Sequence, residues 1–141
     1  MERNVHQVTF RSVAFPQDRH EADELGGGVH GMALAFWAAD ELVAAGLRVG
    51  DPFPEDYGWM VPITGPGRVH LTCSAVPLAV DEHGIVVEDA PRRFRRPDAG
   101  AAALVARTVE ALERALADHP DVHDVTWVQG GPSSSELTAD G

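Results

Sequence analysis

Two segments with helical periodicity divide the chain and restrict it to a mixed fold. Between residues 29 and 45 apolar side chains recur every three or four residues, and the stripe they predict comprises Met32, Ala35, Phe36, Ala39, Leu42 and Val43. Residues 99–117 repeat this pattern with Leu104, Val105, Val109, Leu112 and Leu116. Gly46 is placed to cap the first helix in a left-handed conformation, with Leu47 folded back onto the last turn. Each helix needs a further layer on which to bury its stripe.

That layer is predicted to be a sheet, because alternation of apolar and polar side chains indicates five strands. They cover residues 5–15, 57–63, 68–76, 85–88 and 122–128. Because Pro62 cannot donate a ladder hydrogen bond, its strand is expected to lie at an edge or to end there. The stretch 48–56 contains Pro52 and Pro54 and is interpreted as a loop, and residues 81–84 as a turn. The order β-α-β-β-β-α-β predicts an α+β fold, a mostly antiparallel sheet with two helices packed on one face.

The length of 141 residues is that of one domain, with enough chain to bury a core. We expect a single α+β domain over 1–129 and a flexible C-terminal tail over 130–141, which is rich in Gly, Ser and Pro.

Cys73 is the only cysteine, which rules out an intrachain disulfide, and its place on the apolar face of a strand indicates a buried thiol. The N-terminus lacks the apolar run of a signal peptide, so we expect a cytoplasmic protein.

The charge of the chain limits its partners. There are 22 acidic residues against 11 basic ones, all of them arginine, which gives a formal net charge of −11. Such acidity argues against non-specific binding of nucleic acid, and it favours attraction to a basic partner. The absence of lysine, together with abundant Ala, Gly and Val, indicates a bacterial protein from a GC-rich genome.

A short cassette at the boundary of the predicted loop and strand, Phe53–Ile63, holds adjacent carboxylates and large aromatic rings. Glu55 and Asp56 stand beside Tyr57 and Trp59. One interpretation makes Glu55 or Asp56 an acid, a base or a cation ligand at the mouth of a pocket lined by Trp59, since adjacent carboxylates raise one another's pKa. The other is structural: a carboxylate accepts backbone N–H bonds at the end of a loop and Trp59 fills the core.

The sequence Pro-Glu-Asp-Tyr-Gly-Trp follows an amphipathic helix that ends in Gly-Leu, and this combination resembles a pattern in known proteins. Over residues 32–63 the chain resembles small bacterial proteins with the same helix-to-strand cassette, some of which are immunity-type proteins beside toxins. The resemblance implies an α+β fold and protein binding, and it transfers no catalytic residue.

Two further groups are candidates for binding small ions. Arg92, Arg93, Arg95 and Arg96 precede a helix N-terminus, an arrangement that suits an anion; the alternatives are a solvated loop or a contact in a homodimer. The seven histidines show no His-x-His or His-x-x-x-His spacing, so the sequence predicts no metal site and no cofactor. The glycine-rich stretch 26–28 is interpreted as a linker.

These observations favour a non-enzymatic binding protein of immunity or regulatory type, with an acidic surface for a basic protein partner. Trp37 lies off the apolar stripe, close to Asp40 and Glu41, so the predicted binding residues are Trp37, Asp40, Glu41, Glu55, Asp56 and Trp59. The alternative is a small enzyme or small-molecule-binding protein with a cleft near Glu55, Asp56 and Trp59. In that case Glu55, Asp56, His30 and His70 are the candidates for proton transfer.

Overall fold

A computed structural model describes residues 5–15, 31–55, 58–65, 67–75, 82–89 and 99–129. Two helices, α1 (Met32–Ala44) and α2 (Ala99–Asp118), and seven strands lie within these ranges. The strands are β1 (Val5–Ser12), β2 (Arg48–Val49), β3 (Phe53–Glu55), β4 (Gly58–Thr64), β5 (Arg68–Ala75), β6 (Glu82–Asp89) and β7 (Val122–Gln129). The predicted α+β class is confirmed, with β2 and β3 added to the predicted order.

The strands form one sheet in the order β2-β4-β5-β6-β1-β7, and β3 pairs with β4 on the same side as β2. Every described pairing is antiparallel. The N-terminal strand β1 is therefore an inner strand, between β6 and β7. One sheet face carries Val8, Val61, Leu71 and Ile85 into a core shared with both helices, as alternation predicts.

The edge formed by β2 and β3 is interrupted, and Pro62 explains the interruption. Gly50 N–H donates to the Pro62 carbonyl over 2.8 Å, so the nitrogen of Pro62, which has no hydrogen, also faces this edge. A Cβ on Gly50 would lie 2.8 Å from Pro62 Cγ, which restricts the position to glycine. The interpretation of residues 48–56 as a loop was wrong for β2 and β3, because Pro52 between the strands and Pro54 within β3 are typical of a loop.

Helix α2 buries the face that its sequence predicts, whereas α1 is rotated. Leu104, Val105, Leu112 and Leu116 are all buried. In α1 the buried side chains are Leu34, Ala35, Ala38, Ala39 and Leu42, whereas Met32, Phe36 and Val43 of the predicted stripe are exposed. The predicted cap is confirmed, because Gly46 has φ +92° and Leu47 N–H donates to the Leu42 carbonyl over 3.1 Å. Neither described helix is long and apolar enough to cross a membrane.

Strand β6 begins three residues earlier than predicted. Glu82, His83 and Gly84, interpreted as part of a turn, continue the ladder, where Gly84 pairs with Thr9 of β1 and with Ser74 of β5. His83 is buried at this end of the strand, and its Nε2 lies 3.1 Å from the Ser12 carbonyl oxygen. A turn-like sequence can form an inner strand when both neighbours supply hydrogen-bond partners.

Candidate functional site

The outer side of α1 carries an exposed apolar line with a carboxylate beside it. Phe36 is 47% exposed and Val43 is 57% exposed, and Met32 is also exposed. The three residues are spaced four and seven apart, so they follow one side of the helix for about 16 Å. Asp40 is exposed four residues after Phe36 and three before Val43. We call Met32, Phe36, Asp40 and Val43 the outer patch.

Trp59 supports the outer patch from beneath. The ring of Phe36 lies 6.0 Å from the ring of Trp59, at an interplanar angle of 53°. Trp59 itself is buried in the core, and its Nε1 has no hydrogen-bond partner among the described residues. It is therefore a core side chain that holds the Phe36 ring from one side, and it does not form the wall of a cleft that includes His70. Its partner in the predicted pair of rings, Tyr57, lies outside the described residues.

Trp37, predicted as an exposed binding residue, is half-buried in a cluster of rings. Its ring lies 5.1 Å from that of Phe15 and 5.6 Å from that of His119. Phe15 also contacts Phe10 and His83. The prediction of an exposed tryptophan was wrong, because the end of α2 and the end of β1 supply ring contacts that helical periodicity cannot reveal.

The predicted acidic residues do not form one cluster: Asp40 belongs to the outer patch, whereas Glu41 lines a cavity between α1 and α2 and Glu55 lies near His70. Residues 31–55 contain Asp40, Glu41, Asp51 and Glu55 against the single Arg48, a net charge of −3. Asp40 and Asp51 are exposed, whereas Glu41 and Glu55 are half-buried. Asp56, His30 and the arginines 92, 93, 95 and 96 lie outside the described residues, as does the predicted tail. Residues 31–55 are thus acidic overall, and their exposed aromatic residues are Phe36, which was predicted on the buried stripe, and Phe53.

Two of the predicted proton-transfer residues lie on the other face of the sheet. His70 pairs across the strands with Glu88, which is buried. Burial lowers the pKa of His70, whereas the nearby carboxylates of Glu88 and Glu55 act to raise it and Arg68 to lower it. Thr72, on the same face two residues along β5, has a buried hydroxyl that finds no hydrogen-bond partner within the described part of the chain. The structure therefore brings His70 and Glu55 into electrostatic contact and separates both from Trp59.

Replacing His70 with glutamine is expected to remove part of the pH dependence of stability. The pKa of His70 is lower in the folded chain than the value of about 6.5 in an unfolded chain, so the unfolded state binds more protons between these two values. The stabilisation from neutral His70 is complete above about pH 6.5 and is lost as the pH falls through the folded pKa. Urea unfolding of both proteins, at several pH values from about 5 to 8, measures the difference. The prediction would be contradicted if the difference in stability between the two proteins did not change with pH. It would also be contradicted if wild type became more stable relative to the variant as the pH falls.

A cavity of about 360 Å³ lies between α1 and α2. Its floor is formed by small side chains, Ala44, Ala45, Ala111 and Ala115, with Leu47. Its rim carries both signs of charge, with Glu41, Glu110 and Asp118 opposed by Arg107 and Arg114. Arg114 Nη2 donates to Glu110 Oε1 over 3.0 Å, and both groups are well exposed. The alanines that create this groove were not recognised from the sequence, because alanine fits either a packed or an open helix surface.

Cys73 lies in the core at the centre of β5. It is fully buried, and burial raises the pKa of its thiol far above the usual range. A thiol that stays protonated is a poor nucleophile, which agrees with the inert thiol predicted from the sequence. Within the described ranges no group of three or more His, Cys, Asp or Glu side chains is placed to bind a metal ion.

Comparison of the chain with models of protein families, with curated proteins and with solved structures finds no match. The resemblance of residues 32–63 to immunity-type proteins stays a prediction from the sequence. Two parts of the described surface are candidates for binding: the outer patch, with Asp40, and the His70 face of the sheet.

Proposed function

We propose that this chain is a non-enzymatic binding protein of immunity or regulatory type, and that it binds a basic protein through the outer patch. The observation that carries the proposal is the exposure of Phe36 and Val43 on one line of α1, beside Asp40. Phe36 replaces Trp37 as the aromatic anchor of the predicted surface.

The apolar part of the patch supplies affinity when a partner covers it. Burial of apolar surface contributes about 25 cal/mol per Å², and an aromatic ring held at the centre of a patch is a typical hot spot. The Phe36 ring already rests on Trp59, so it loses little freedom when a partner binds.

The negative charge of the patch determines which partners it attracts. The exposed carboxylate of Asp40, within a chain of net charge −11, attracts a basic protein and repels an acidic one. Because Asp40 is exposed, we expect salt to screen the attraction and to slow association.

The variant Val43→Lys tests this proposal, because it puts a cation on the patch where the side chain is 57% exposed. Wild type and variant are used to capture proteins from a lysate of the native host at low salt, and a captured protein is then purified and titrated by calorimetry. We expect a basic protein whose affinity falls at least about tenfold with Val43→Lys and also falls as salt is added.

The matched control is Val128→Lys, the same substitution at a valine that is 52% exposed on β7. It changes the net charge equally and should leave the affinity unchanged. An equal loss in both variants would indicate a response to net charge alone, and the outer patch would not be the binding surface. Recovery of no basic partner would count against the function itself.

The His70 face supports a second candidate function, a small-molecule-binding protein or small enzyme. Its supporting observation is that His70 and Glu55 share one face of the sheet, with the buried Glu88 opposite His70. A small polar ligand bound there would shift the NMR signals of the His70 ring and not the methyl signals of Val43. A screen of polar fragments in which no compound shifts the His70 signals would remove this candidate.

A further inference from the structure

The two edges of the sheet differ in their ability to accept another strand. At one edge, β2 and β3 contribute two and three residues, separated by Gly50–Pro52, and Pro54 lacks an N–H. Short strands, proline and a break are features that prevent edge-to-edge pairing. At the other edge, β7 is an unbroken stretch of eight residues that pairs with β1 only, as far as the structure describes the chain.

β7 is exposed along its length. Six of its eight residues are exposed, among them Val125 and Val128, and only Val122 and Trp127 are half-buried. A bulge at Asp124, which has φ +55°, shifts the register between Thr9 and Arg11 of β1. The regular part of the edge is therefore residues 125–129, where alternate backbone N–H and C=O groups point away from β1.

The charge of this edge indicates which partner it suits. Residues 125–129 contain no charged side chain, in a chain whose net charge is −11. A basic partner has nothing to attract it to this segment, whereas two acidic chains can approach each other most easily where neither carries charge. We propose that a second copy of this chain pairs with β7, strand to strand, to form a dimer that continues the sheet. This proposal is independent of the proposed function, because the outer patch lies on α1.

Two-fold symmetry and the composition of the segment place Trp127 at the centre of the pairing. Antiparallel strands related by a two-fold axis at Trp127 set Thr126 opposite Val128 of the second copy, on one face. On the other face Val125 lies opposite Gln129, and the two Trp127 rings are neighbours. Threonine, valine and aromatic pairs are favourable across strands, and this register opposes no like charges.

The difference between the edges also limits the size of the assembly. Each chain has one edge that can pair, and a symmetric β7–β7 contact uses that edge in both copies. Five paired residues a side give a small interface, below the roughly 1,000 Å² of stable complexes, so the dimer is expected to form and dissociate with concentration. Added salt screens the repulsion between the acidic chains and should strengthen the dimer, the reverse of its effect on a basic partner.

Sedimentation velocity over a hundredfold range of concentration tests the proposal on the whole chain. We expect wild type to shift from monomer to dimer with no larger species, and Val128→Lys to weaken the dimer at least about tenfold, because an edge lysine opposes pairing. Val43→Lys is the matched control and should leave self-association unchanged. A wild type that remains monomeric throughout, or a dimer equally sensitive to both variants, would overturn the proposal.

The register is tested by cysteine pairing. Thr126→Cys and Val128→Cys place thiols opposite each other in different copies, so mild oxidation of the two variants mixed together should give a covalent dimer. Each variant alone should crosslink far less, because its new cysteine faces a threonine or a valine. The buried Cys73 does not compete for the oxidant. Crosslinks as frequent in the single variants as in the mixture would overturn the register.

Discussion

Replacing Phe15 with alanine is expected to lower the free energy of unfolding by about 3–5 kcal/mol, the largest effect of any single change considered. Phe15 is buried, and its ring lies 5.1–6.2 Å from four other rings, those of Phe10, Trp37, His83 and His119. These four rings belong to β1, α1, β6 and the end of α2. Removal of the Phe15 ring leaves a cavity that backbone movement cannot fill, because the neighbours are held by separate elements.

Denaturant unfolding measures this loss, and the control lies two residues away. Val13 is 77% exposed, so Val13→Ala should change the stability by less than about 0.5 kcal/mol. Trp37 fluorescence should also change in Phe15→Ala, since one face of the indole loses its contact. Equal stabilities of the two variants would show that the ring cluster does not connect these elements.

Replacing Gly67 with alanine is expected to cost about 3 kcal/mol, because the new methyl group meets backbone. A Cβ at Gly67 would lie 2.7 Å from both N and Cα of Ala101, and 2.8 Å from its Cβ. Ala101 lies in the first turn of α2, so either that helix or the start of β5 would have to move. Movement of α2 would in turn disturb Leu104, which is buried one turn further on.

Gly65 provides the control for Gly67, since the two residues flank the same turn. A Cβ at Gly65 would lie 3.4 Å from the Cδ atoms of Leu104, an ordinary contact with a side chain that can adjust. We expect Gly65→Ala to change the stability by less than about 1 kcal/mol, measured by thermal and denaturant unfolding. If Gly67→Ala were as mild as Gly65→Ala, α2 would not pack closely against this turn.

The two helices show what periodicity can and cannot predict. In α2 the exposed positions are alanines and charged residues, so the large apolar side chains form only one stripe and the predicted face is the buried one. In α1 eleven of thirteen residues are apolar, and any of several stripes satisfies the helical period. The choice among them depends on which side chains fit between the strands, and the rotation exposed Phe36 and Val43. A helix with so few polar residues indicates that part of its apolar surface is available for a contact outside the core.

The strands likewise include some that the sequence pattern predicts and some that it misses. Alternation correctly identified the inner strands, because side chains on opposite faces of a sheet meet different surroundings. It missed β2 and β3, because Pro52 and Pro54 suggest a loop and the two strands are only two and three residues long. The ring cluster around Phe15 and the proximity of His70 to Glu55 join residues far apart in the chain, so local sequence patterns could not predict them.

The position of β1 in the sheet has a consequence for the time at which the fold is completed during synthesis. Val5 pairs with Glu88, whereas Ser12 pairs with Val122. The hairpins of β4, β5 and β6 join strands that are adjacent in sequence, but β1 acquires its second neighbour only after β7 (Val122–Gln129) has left the ribosome. Until then β1 has one unpaired edge, and long-range pairing of this kind is slow to form. Of the described strands, β1 is therefore synthesised first and is among the last to be enclosed.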